Sequence, residues 1–534
     1  MMTRAVLFLS LLLCSEMIFA QGAFNYRIAL VPITISGLPG LHSYAFAKHN
    51  DKWLLIGGRK DGIHARQPNS SFPQSQNNTD IYVVDVNTKQ YWTASVTTLP
   101  VAIAEQMQAT NMNFIQVEDT LCLIGGYAYS ATAANHITFD KLTTIDVPGV
   151  INAVISGTAI NSYFRQASDT AFAVTGGQLG KTGDYFHLVG GHKFTGRYNP
   201  MGNPTYTQVY TNQVRKFKIS NSGSQPSISD YSTITDAIHL RRRDYNLLPQ
   251  IFAGGTAGYT IFSGVFQLGA DLPFLYPVDV TASGITPHTG FNQYLSHYHC
   301  AKIALFDSVS QTMHSLFLGG MSQYYYASGV LTKDDDVPFV KTISRVSRSA
   351  SGVLKEYLMN TEMPAFAGAS AEFISNDNVA HYETDIIKLH RITSDTTIAG
   401  YVYGGIVSPS LHPFVNNQTN TTAAGSTIYA VLLIKDNSAS AEHVNDNKKY
   451  SINIYPNPTK GKLFVQVKGN GVRKLQYYIS NISGQVLQAG LANKQSNSGN
   501  FSISIDKNIA PQQLLLTTVV DDVHYNSVLI EYRQ

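Results

Sequence analysis

Six segments of the chain carry one pattern, in which an apolar strand runs into a glycine pair or a Ser-Gly pair. The segments are WLLIGG (53–58), LCLIGG (121–126), FHLVGG (186–191), YTIFSG (259–264), SLFLGG (315–320) and YVYGG (401–405). They recur at intervals of roughly 65 residues, and such a period is typical of one supersecondary unit repeated along the chain. The pattern therefore predicts a repeat protein.

The first repeat resolves into four short strands. They are predicted at 43–49, 53–58, 80–87 and 90–96, with turn-forming residues between them. The third strand, YVVDV (82–86), returns almost unchanged as YPVDV (276–280) in the fourth repeat, which supports internal duplication. Four strands in sequence predict one antiparallel blade of a β-propeller.

The glycine pairs have a physical reason in such a fold. The inner strands of a propeller converge on a crowded axis before the chain turns outward, and glycine permits both close approach and positive φ. We therefore predict an all-β protein with a six-bladed propeller over residues 21–435. The last repeat ends at its third strand, 427–435, so we expect the strand at 26–34 to close the last blade.

The first repeat resembles the kelch motif, which has an apolar strand, a Gly-Gly pair, and then a Tyr followed by a Trp. Gly57, Gly58, Tyr82 and Trp92 match this order. The other repeats keep the glycines but lose the Trp, because the chain has only 2 Trp. The resemblance spans about residues 25–435 and implies a kelch-like propeller fold; it implies no activity.

The repeats are longer than an ordinary kelch unit, and the additional length follows the glycine pairs. The long loops are 59–79, 192–211, 321–339 and 406–425. Because they occupy the same place in each unit, we expect them on one face. Loops on a rigid scaffold commonly carry function, so we predict that this face binds a glycan or protein ligand.

Two groups of candidate ligand-binding residues are predicted from this layout. The first group is polar and precedes the first strands of successive blades: His42, Glu105, Arg165, Arg243 and His299. Around an axial mouth it would bind an anionic or polyhydroxylated ligand, or equally form ion pairs between blades. The second group is aromatic and lies in a long loop, where it suits sugar stacking or a protein partner: Tyr324, Tyr325 and Tyr326.

No catalytic motif is recognisable, so a binding protein is preferred to an enzyme. The weak metal candidates are His297 and His299, two residues apart on a strand and therefore on one face. Structural histidines in strands are commoner, so we expect neither a metal nor another cofactor. The alternative hypothesis is a secreted enzyme on the propeller scaffold, either a metal-dependent oxidase or a carbohydrate-active enzyme.

Composition and the N-terminus indicate export. Charged residues are only 14% of the chain, its net charge is +3 and it has 31 Tyr, a balance that suits an extracellular β protein and argues against nucleic-acid binding. Residues 1–20 read as a signal peptide of the Sec type, and no later apolar stretch reaches the length of a membrane span. Cys122 and Cys300 lie in different repeats, and we expect both to be buried and unpaired.

A second domain begins after a polar segment, 436–450, which reads as a linker. Alternating apolar positions in 451–534 predict a small Ig-like β-sandwich. The segments YPNPTKGKLFVQV (455–467) and ISNISGQVLQAG (479–490) resemble the type A C-terminal sorting domain of type IX secretion substrates. The motif residues that carry this resemblance are Tyr455, Pro456, Asn457, Pro458 and Gly461.

This resemblance implies export to the outer-membrane surface or beyond, with residues 451–534 recognised by the type IX secretion machinery and usually removed at the surface. One departure is APQQ (510–513), where the family commonly has Gly-x-Tyr. The sequence leaves open the identity of the ligand, whether the protein is an enzyme, whether it is anchored or released, and its oligomeric state.

Overall fold

The protein is all-β, as the sequence predicts. A computed structural model describes residues 24–66, 70–199, 205–436, 442–444, 450–469, 471–495 and 499–533. The signal peptide predicted at 1–20 lies outside these residues. The fold consists of six antiparallel sheets formed by residues 26–435, smaller sheets in their loops, and a C-terminal unit of two sheets.

Each of the six sheets is a meander of four main strands, numbered here as sheets 1 to 6 in chain order. Sheet 1 is built from Ala45–His49, Lys52–Ile56, Asp80–Asp85 and Gln90–Ser95. Sheet 2 is built from Asn113–Val117, Thr120–Ile124, Lys141–Asp146 and Phe164–Ser168. Sheet 3 is built from Gln178–Thr182, Tyr185–Val189, Gln213–Ser220 and Ser227–Thr235. Sheets 4 and 5 are built from Asn246–Ile251, Ala257–Phe262, Val278–Thr281 and Gly284–Pro287; and from Ala301–Asp307, Thr312–Met321, Phe339–Arg348 and Leu354–Glu362. The short strand Ile387–Lys388 adds to sheet 5 in parallel.

Sheet 6 joins the two ends of this part of the chain. Its first three strands are Phe366–Ser375, Thr396–Ser408 and Ile428–Lys435, with the short Ala423–Ala424 beside them. Its outermost strand is Tyr26–Ile33, which pairs antiparallel with Ile428–Lys435 from Tyr26 opposite Lys435 to Ile33 opposite Ile428. The N-terminal strand therefore belongs to the last sheet.

A closed circle of backbone hydrogen bonds, called here the backbone ring, joins the six sheets where their first strands begin. Each N–H donates to the carbonyl of the preceding sheet's ring residue, over 2.7 to 3.2 Å. The donor and acceptor residues, in order around the ring, are Ser43, Asn111, Gly176, Asp244, His299 and Ser370, and Ser43 N–H closes the circle on Ser370 O. The first strands of all six sheets thus meet around one centre.

The glycine pairs link neighbouring sheets beside this ring. Both members of each of the six pairs have positive φ, including Ser263 at 55° in the Ser-Gly variant. In five of the six pairs the second residue donates its N–H to a carbonyl of the segment that leads into the next sheet, as Gly126 does to Val174 O at 3.0 Å and Gly405 to Leu41 O at 2.8 Å. The repeated signal in the sequence therefore marks the joints of the ring.

Within the described residues, two α-helices interrupt the strands. Helix α1 is Val101–Gln106, between sheets 1 and 2; helix α2 is Val147–Ser156, between the third and fourth strands of sheet 2. Asp146 caps α2 by accepting a hydrogen bond from Gly149 N at 3.1 Å, and Gly157 ends the helix with φ of 65°. Buried Val150 and Ile151 pack into the core shared by sheets 1 and 2.

The C-terminal unit has two four-stranded sheets with a common core. The outer sheet consists of Ser451–Tyr455, Lys462–Lys468, Asn493–Lys494 and Asn500–Ser504; the inner sheet consists of Leu475–Asn481, Val486–Leu491, Gln512–Val520 and His524–Tyr532. Leu463 and Val465 of the outer sheet pack on Ile479 and Leu516 of the inner sheet. Glu442–His443, within the segment predicted to be a linker, pairs with Leu354–Glu362 of sheet 5.

Candidate functional site

The loops between the second and third strands of the sheets form ordered structure of their own. Tyr127–Ser130 and Asn135–Thr138 from sheet 2 pair with His192–Gly196 and Tyr206–Tyr210 from sheet 3 in one small sheet. The corresponding loop of sheet 5 is the hairpin Tyr324–Ala327 and Val330–Lys333. The scaffold therefore presents folded loops around the backbone ring.

A cavity of about 170 Å³, called here the upper cavity, lies where these loops meet the backbone ring. Its floor includes the ring residues Ser43, Asn111, Asp244, His299 and Ser370. All four of the long loops identified in the sequence contribute to its walls, and a side lobe of about 120 Å³ continues beneath the small loop sheet.

Aromatic rings from three different loops form one wall of the upper cavity. The His64 ring stacks on Phe72 with centroids 4.9 Å apart, and Tyr198 and Phe414 meet the same imidazole edge-on at 4.8 and 5.4 Å. Each ring supports the others, so the wall is fixed before any ligand arrives. Such flat, rigid faces provide apolar contact area for a ring-shaped ligand.

The two arginines that line the upper cavity both have carboxylate partners. Arg59 binds both oxygens of Asp61, at 2.8 and 2.6 Å, and donates to Asn77 Oδ1 at 2.9 Å. Although burial opposes ionisation, His42, whose Nε2 lies 3.6 Å from Asp61 Oδ1, and the hydrogen-bonded Arg59 guanidinium hold the pKa of Asp61 below its ordinary value. Arg243 pairs with Asp244 through Nη1, so neither arginine adds an uncompensated charge.

Three histidines of the upper cavity and its side lobe, His42, His64 and His192, are neutral at neutral pH. Burial lowers the pKa of His64 to about 4, and it lowers the pKa of His42 below the usual value. In the side lobe, burial holds the pKa of His192 well below its usual range. A neutral imidazole has one donor and one acceptor nitrogen, so these side chains offer hydrogen bonds rather than charge.

Three of the five polar residues proposed from the sequence surround the upper cavity. His42, Arg243 and His299 line it, whereas the structure places Glu105 and Arg165 elsewhere. Glu105, on α1, accepts hydrogen bonds from Ser130 Oγ at 2.7 Å and Thr132 N at 2.9 Å.

The position of Arg165 corrects its expected register. Helix α2 is inserted before Phe164–Ser168, so this segment is the fourth strand of sheet 2 rather than the approach to sheet 3. The Arg165 guanidinium donates to Asn221 O at 2.7 Å. The residue of the backbone ring that precedes sheet 3 is Gly176. In the described part of the chain, sheet 1 has no helix between its third and fourth strands. A register extrapolated from the first repeat therefore predicted the wrong position for Arg165.

The three consecutive tyrosines form a strand, and the first of them is the most buried. Tyr324 is 8% exposed and packs against Tyr294 with ring centroids 5.0 Å apart, whereas Tyr325 and Tyr326 are half-buried. None of the three is among the residues that line the upper cavity. They belong to the hairpin of sheet 5 rather than to a free loop.

The two histidines named as weak metal candidates have separate environments. His297 is buried, accepts a hydrogen bond from Gln323 N through Nδ1 at 2.9 Å and donates through Nε2 to Gln293 O at 2.9 Å, so both ring nitrogens are occupied. His299 Nε2 lies 3.0 Å from Glu372 Oε1 and 3.2 Å from Lys302 Nζ. The pair thus has no common open position for an ion.

Several residues of the site escaped the sequence analysis. His64, Phe72 and Phe414 lie in the long loops, whose length was the only available signal. Glu372, 4% exposed, lies on the first strand of sheet 6 and borders a lower cavity of about 210 Å³ on the other side of the backbone ring. His299 lines both cavities.

The chain is an all-β protein in which a backbone ring joins six sheets around a cavity. A C-terminal unit of two sheets follows them. Residues 453–508 of that unit match the family model described as a secretion system C-terminal sorting domain. The match confirms the resemblance of this region to type IX sorting domains and indicates export to the cell surface or the extracellular space. Among the described residues, no helix is both long and apolar enough to cross a membrane.

Comparison with curated proteins finds no match for this chain. Among solved structures, the chain is similar to YjhT, with 12% identity, coverage of 76% of this chain and 98% of YjhT, and a TM-score of 0.41. It is similar to a copper-bound fungal alcohol oxidase of the AA5 family, with 8% identity, coverage of 95% and 99%, and a TM-score of 0.35. It also resembles dimeric latent PorU from Porphyromonas gingivalis, with 10% identity, coverage of 79% and 33%, and a TM-score of 0.14. At these TM-scores the likenesses carry no inference about activity.

Proposed function

We propose that this chain is a secreted or cell-surface kelch-like β-propeller of six blades that binds a glycan in the upper cavity. In this proposal sheets 1 to 6 are the blades, residues 21–435 form the propeller, and residues 451–534 form an Ig-like sorting domain. The closed backbone ring and the four-stranded meander of each sheet support the propeller architecture.

One observation carries the ligand class: rigid aromatic faces and hydrogen-bonding groups line the same small cavity. His64, Tyr198 and Phe414 supply the faces. His42 and Asn111 supply polar groups, as does Arg243 Nη2, which has no hydrogen-bond partner among the described residues. Sugars combine apolar ring faces with hydroxyl groups, so they match both features.

The charges favour a neutral polyhydroxylated ligand over an anionic one. Arg59 and Arg243 are already paired with Asp61 and Asp244, and binding an anion would require it to compete with those carboxylates. The shape favours a glycan over a protein, because a concave cavity of about 170 Å³ admits a small molecule or a chain end rather than a broad protein surface.

The proposal is tested by glycan-array screening of the mature protein, followed by calorimetric titration with the best oligosaccharide. We expect Tyr198→Ala and Phe414→Ala each to weaken binding by about tenfold, because each removes an aromatic face worth about 1 kcal/mol or more. Tyr325→Ala, an aromatic outside the cavity, is the matched control and should leave the affinity unchanged. Binding that depends on Tyr325 but not on Tyr198 would place the site elsewhere, and absence of glycan binding would refute the proposal.

A carbohydrate-active enzyme is a second candidate, favoured by one pair of side chains. Glu372 Oε1 lies 3.0 Å from His299 Nε2, and a carboxylate that orients a histidine is a common arrangement in acid–base catalysis. His299 lines both cavities, whereas Glu372 lines the lower one. Product analysis of a bound glycan, compared between the natural chain and His299→Gln, tests this alternative. The metal-dependent oxidase has no such support, because both nitrogens of His297 are occupied.

We also propose that the type IX machinery recognises residues 451–534, and the family match over 453–508 supports this partner. Deleting residues 451–534 should leave the protein inside the outer membrane, as detected by fractionation and surface labelling. Normal surface delivery of the truncated chain would contradict the assignment.

A further inference from the structure

The strand Leu475–Asn481 of the inner sheet is buried on both of its faces. All side chains from Leu475 to Ser480 are buried, whereas the outer strand Lys462–Lys468 alternates between buried and exposed positions. Successive side chains of a strand point to opposite faces. One face of the inner sheet covers the core of the unit, so the other must be covered by a different part of the chain.

The second face packs on sheets 3 and 4 of the body, where the body means residues 24–436. Tyr478, Val519 and Tyr525 join one buried cluster with Ile238 and Tyr276 of the body. The rings of Tyr525 and Tyr276 have centroids 4.7 Å apart. We call the body side of this contact, formed by Ile238, Gln267, Phe274 and Tyr276, the docking face.

Hydrogen bonds join the body and the C-terminal unit at this contact. Tyr525 OH donates to Gln267 Oε1 at 2.8 Å, and Gln267 Nε2 donates to Asp522 O at 3.0 Å. At the other end, Ala237 N donates to Gly484 O at 3.2 Å, and a Cβ on Gly484 would lie 2.3 Å from Thr235 O. Close packing with hydrogen bonds across the contact is typical of a domain core or a stable interface.

The segment before the C-terminal unit adds a separate attachment on sheet 5. Glu442–His443 pairs with Leu354–Glu362, and Val444 N donates to Glu356 O at 2.9 Å. Val444 itself is buried beside Leu275 and Tyr294. The segment that ends at residue 444 is thus bound to the body independently of the C-terminal unit.

We propose that the docking face binds the C-terminal unit strongly enough to retain it after the chain between residues 444 and 450 is cut. The cut removes the covalent link but none of the contacts around Tyr525. Because the contact is mainly apolar, high salt should not disrupt it. The partner of this surface is therefore the chain's own sorting domain, and its release requires separation of the two faces as well as proteolysis.

The test uses the full mature chain with a site-specific protease sequence inserted within residues 445–449. After complete cleavage, gel filtration at micromolar concentration should give one peak that contains both fragments, in low and in high salt. Two separated peaks from the cleaved natural chain would overturn the proposal.

Variants on one strand of the C-terminal unit then test which surface holds the fragments together. Tyr525→Ala, after cleavage, should release the C-terminal fragment, whereas Leu529→Ala, on the same strand but 49% exposed, should not. Tyr478→Ala is a second variant at the same contact, and circular dichroism of each uncut chain verifies folding. Retention of the fragment in both tyrosine variants would show that the docking face is not the binding surface.

Discussion

Substituting Gly125 by Ala tests whether the glycine pairs hold neighbouring sheets together. Gly125 has φ of 66°, and a Cβ placed on it would lie 1.9 Å from Val174 O, where the chain approaches sheet 3. That carbonyl cannot move freely, because it accepts hydrogen bonds from Gly126 N and Asn113 Nδ2, both at 3.0 Å. The added methyl group must therefore displace backbone at a joint of the ring.

Gly254→Ala is the matched control, since its φ is 76° but no atom lies within 4 Å of an added Cβ. Gly254→Ala should lower the free energy of unfolding by about 1–2 kcal/mol, because alanine disfavours the left-handed conformation. Gly125→Ala has the same conformational cost together with overpacking of about 1–3 kcal/mol, so we expect a total loss of about 2–5 kcal/mol.

The assay is urea unfolding followed by tryptophan fluorescence. Both tryptophans, Trp53 and Trp92, lie in sheet 1, and each packs near the contact with a neighbouring sheet, so the signal reports the body rather than the C-terminal unit. The midpoint should fall clearly further for Gly125→Ala than for Gly254→Ala. Equal shifts would mean that the pair is needed for its conformation alone and that the close approach to Val174 does not constrain the fold.

Three further outcomes are expected. Burial raises the pKa of Glu356 from its ordinary 4.5 to about 8, so between these pH values the folded state holds a proton on Glu356 that the unfolded state does not. The free energy of unfolding should therefore fall as pH rises through this window. In Glu356→Gln, the midpoint of urea unfolding should depend less on pH. Cys122 and Cys300 are buried and unpaired, with pKa values raised by burial to about 12, so a thiol reagent should modify neither in the native mature chain and both after denaturation; rapid native labelling would contradict this. Ile28→Ala, in the N-terminal strand, should cost about 2–5 kcal/mol because Ile28 is 2% exposed in the core of sheets 5 and 6; a neutral effect would mean that this strand does not hold sheet 6.

The repeat was predictable because its signals are local. An apolar strand followed by two residues at positive φ leaves a glycine pair in the sequence, and alternation locates the strands on either side. Helix α2 was missed although Asp146 and Gly157 are ordinary capping residues, because a period of strands gives no reason to look for a helix. The displacement of Arg165 from its expected place is a direct result of that insertion.

The candidate site was only partly predictable, for a different reason. His42, Arg243 and His299 immediately precede first strands, so their place beside the ring is a consequence of the repeat register. His64, Tyr198 and Phe414 come from loops more than a hundred residues apart, and only the closed ring brings the rings of Tyr198 and Phe414 within 6 Å of His64. Nothing local in those loops distinguishes a cavity wall from an exposed aromatic.

The sequence of the C-terminal unit has to meet two requirements: it carries a sorting signal, and it packs against the body. The region that matches the family model, 453–508, contains the outer sheet and the first two strands of the inner sheet. The strands after it, Gln512–Val520 and His524–Tyr532, carry Val519 and Tyr525, which contact the body, as Tyr478 and Gly484 of the matched region also do. The departure from the family pattern at 510–513 immediately precedes these strands. Contacts with a particular body constrain side chains that a general sorting signal does not, so this is where a cargo-specific sequence is physically expected.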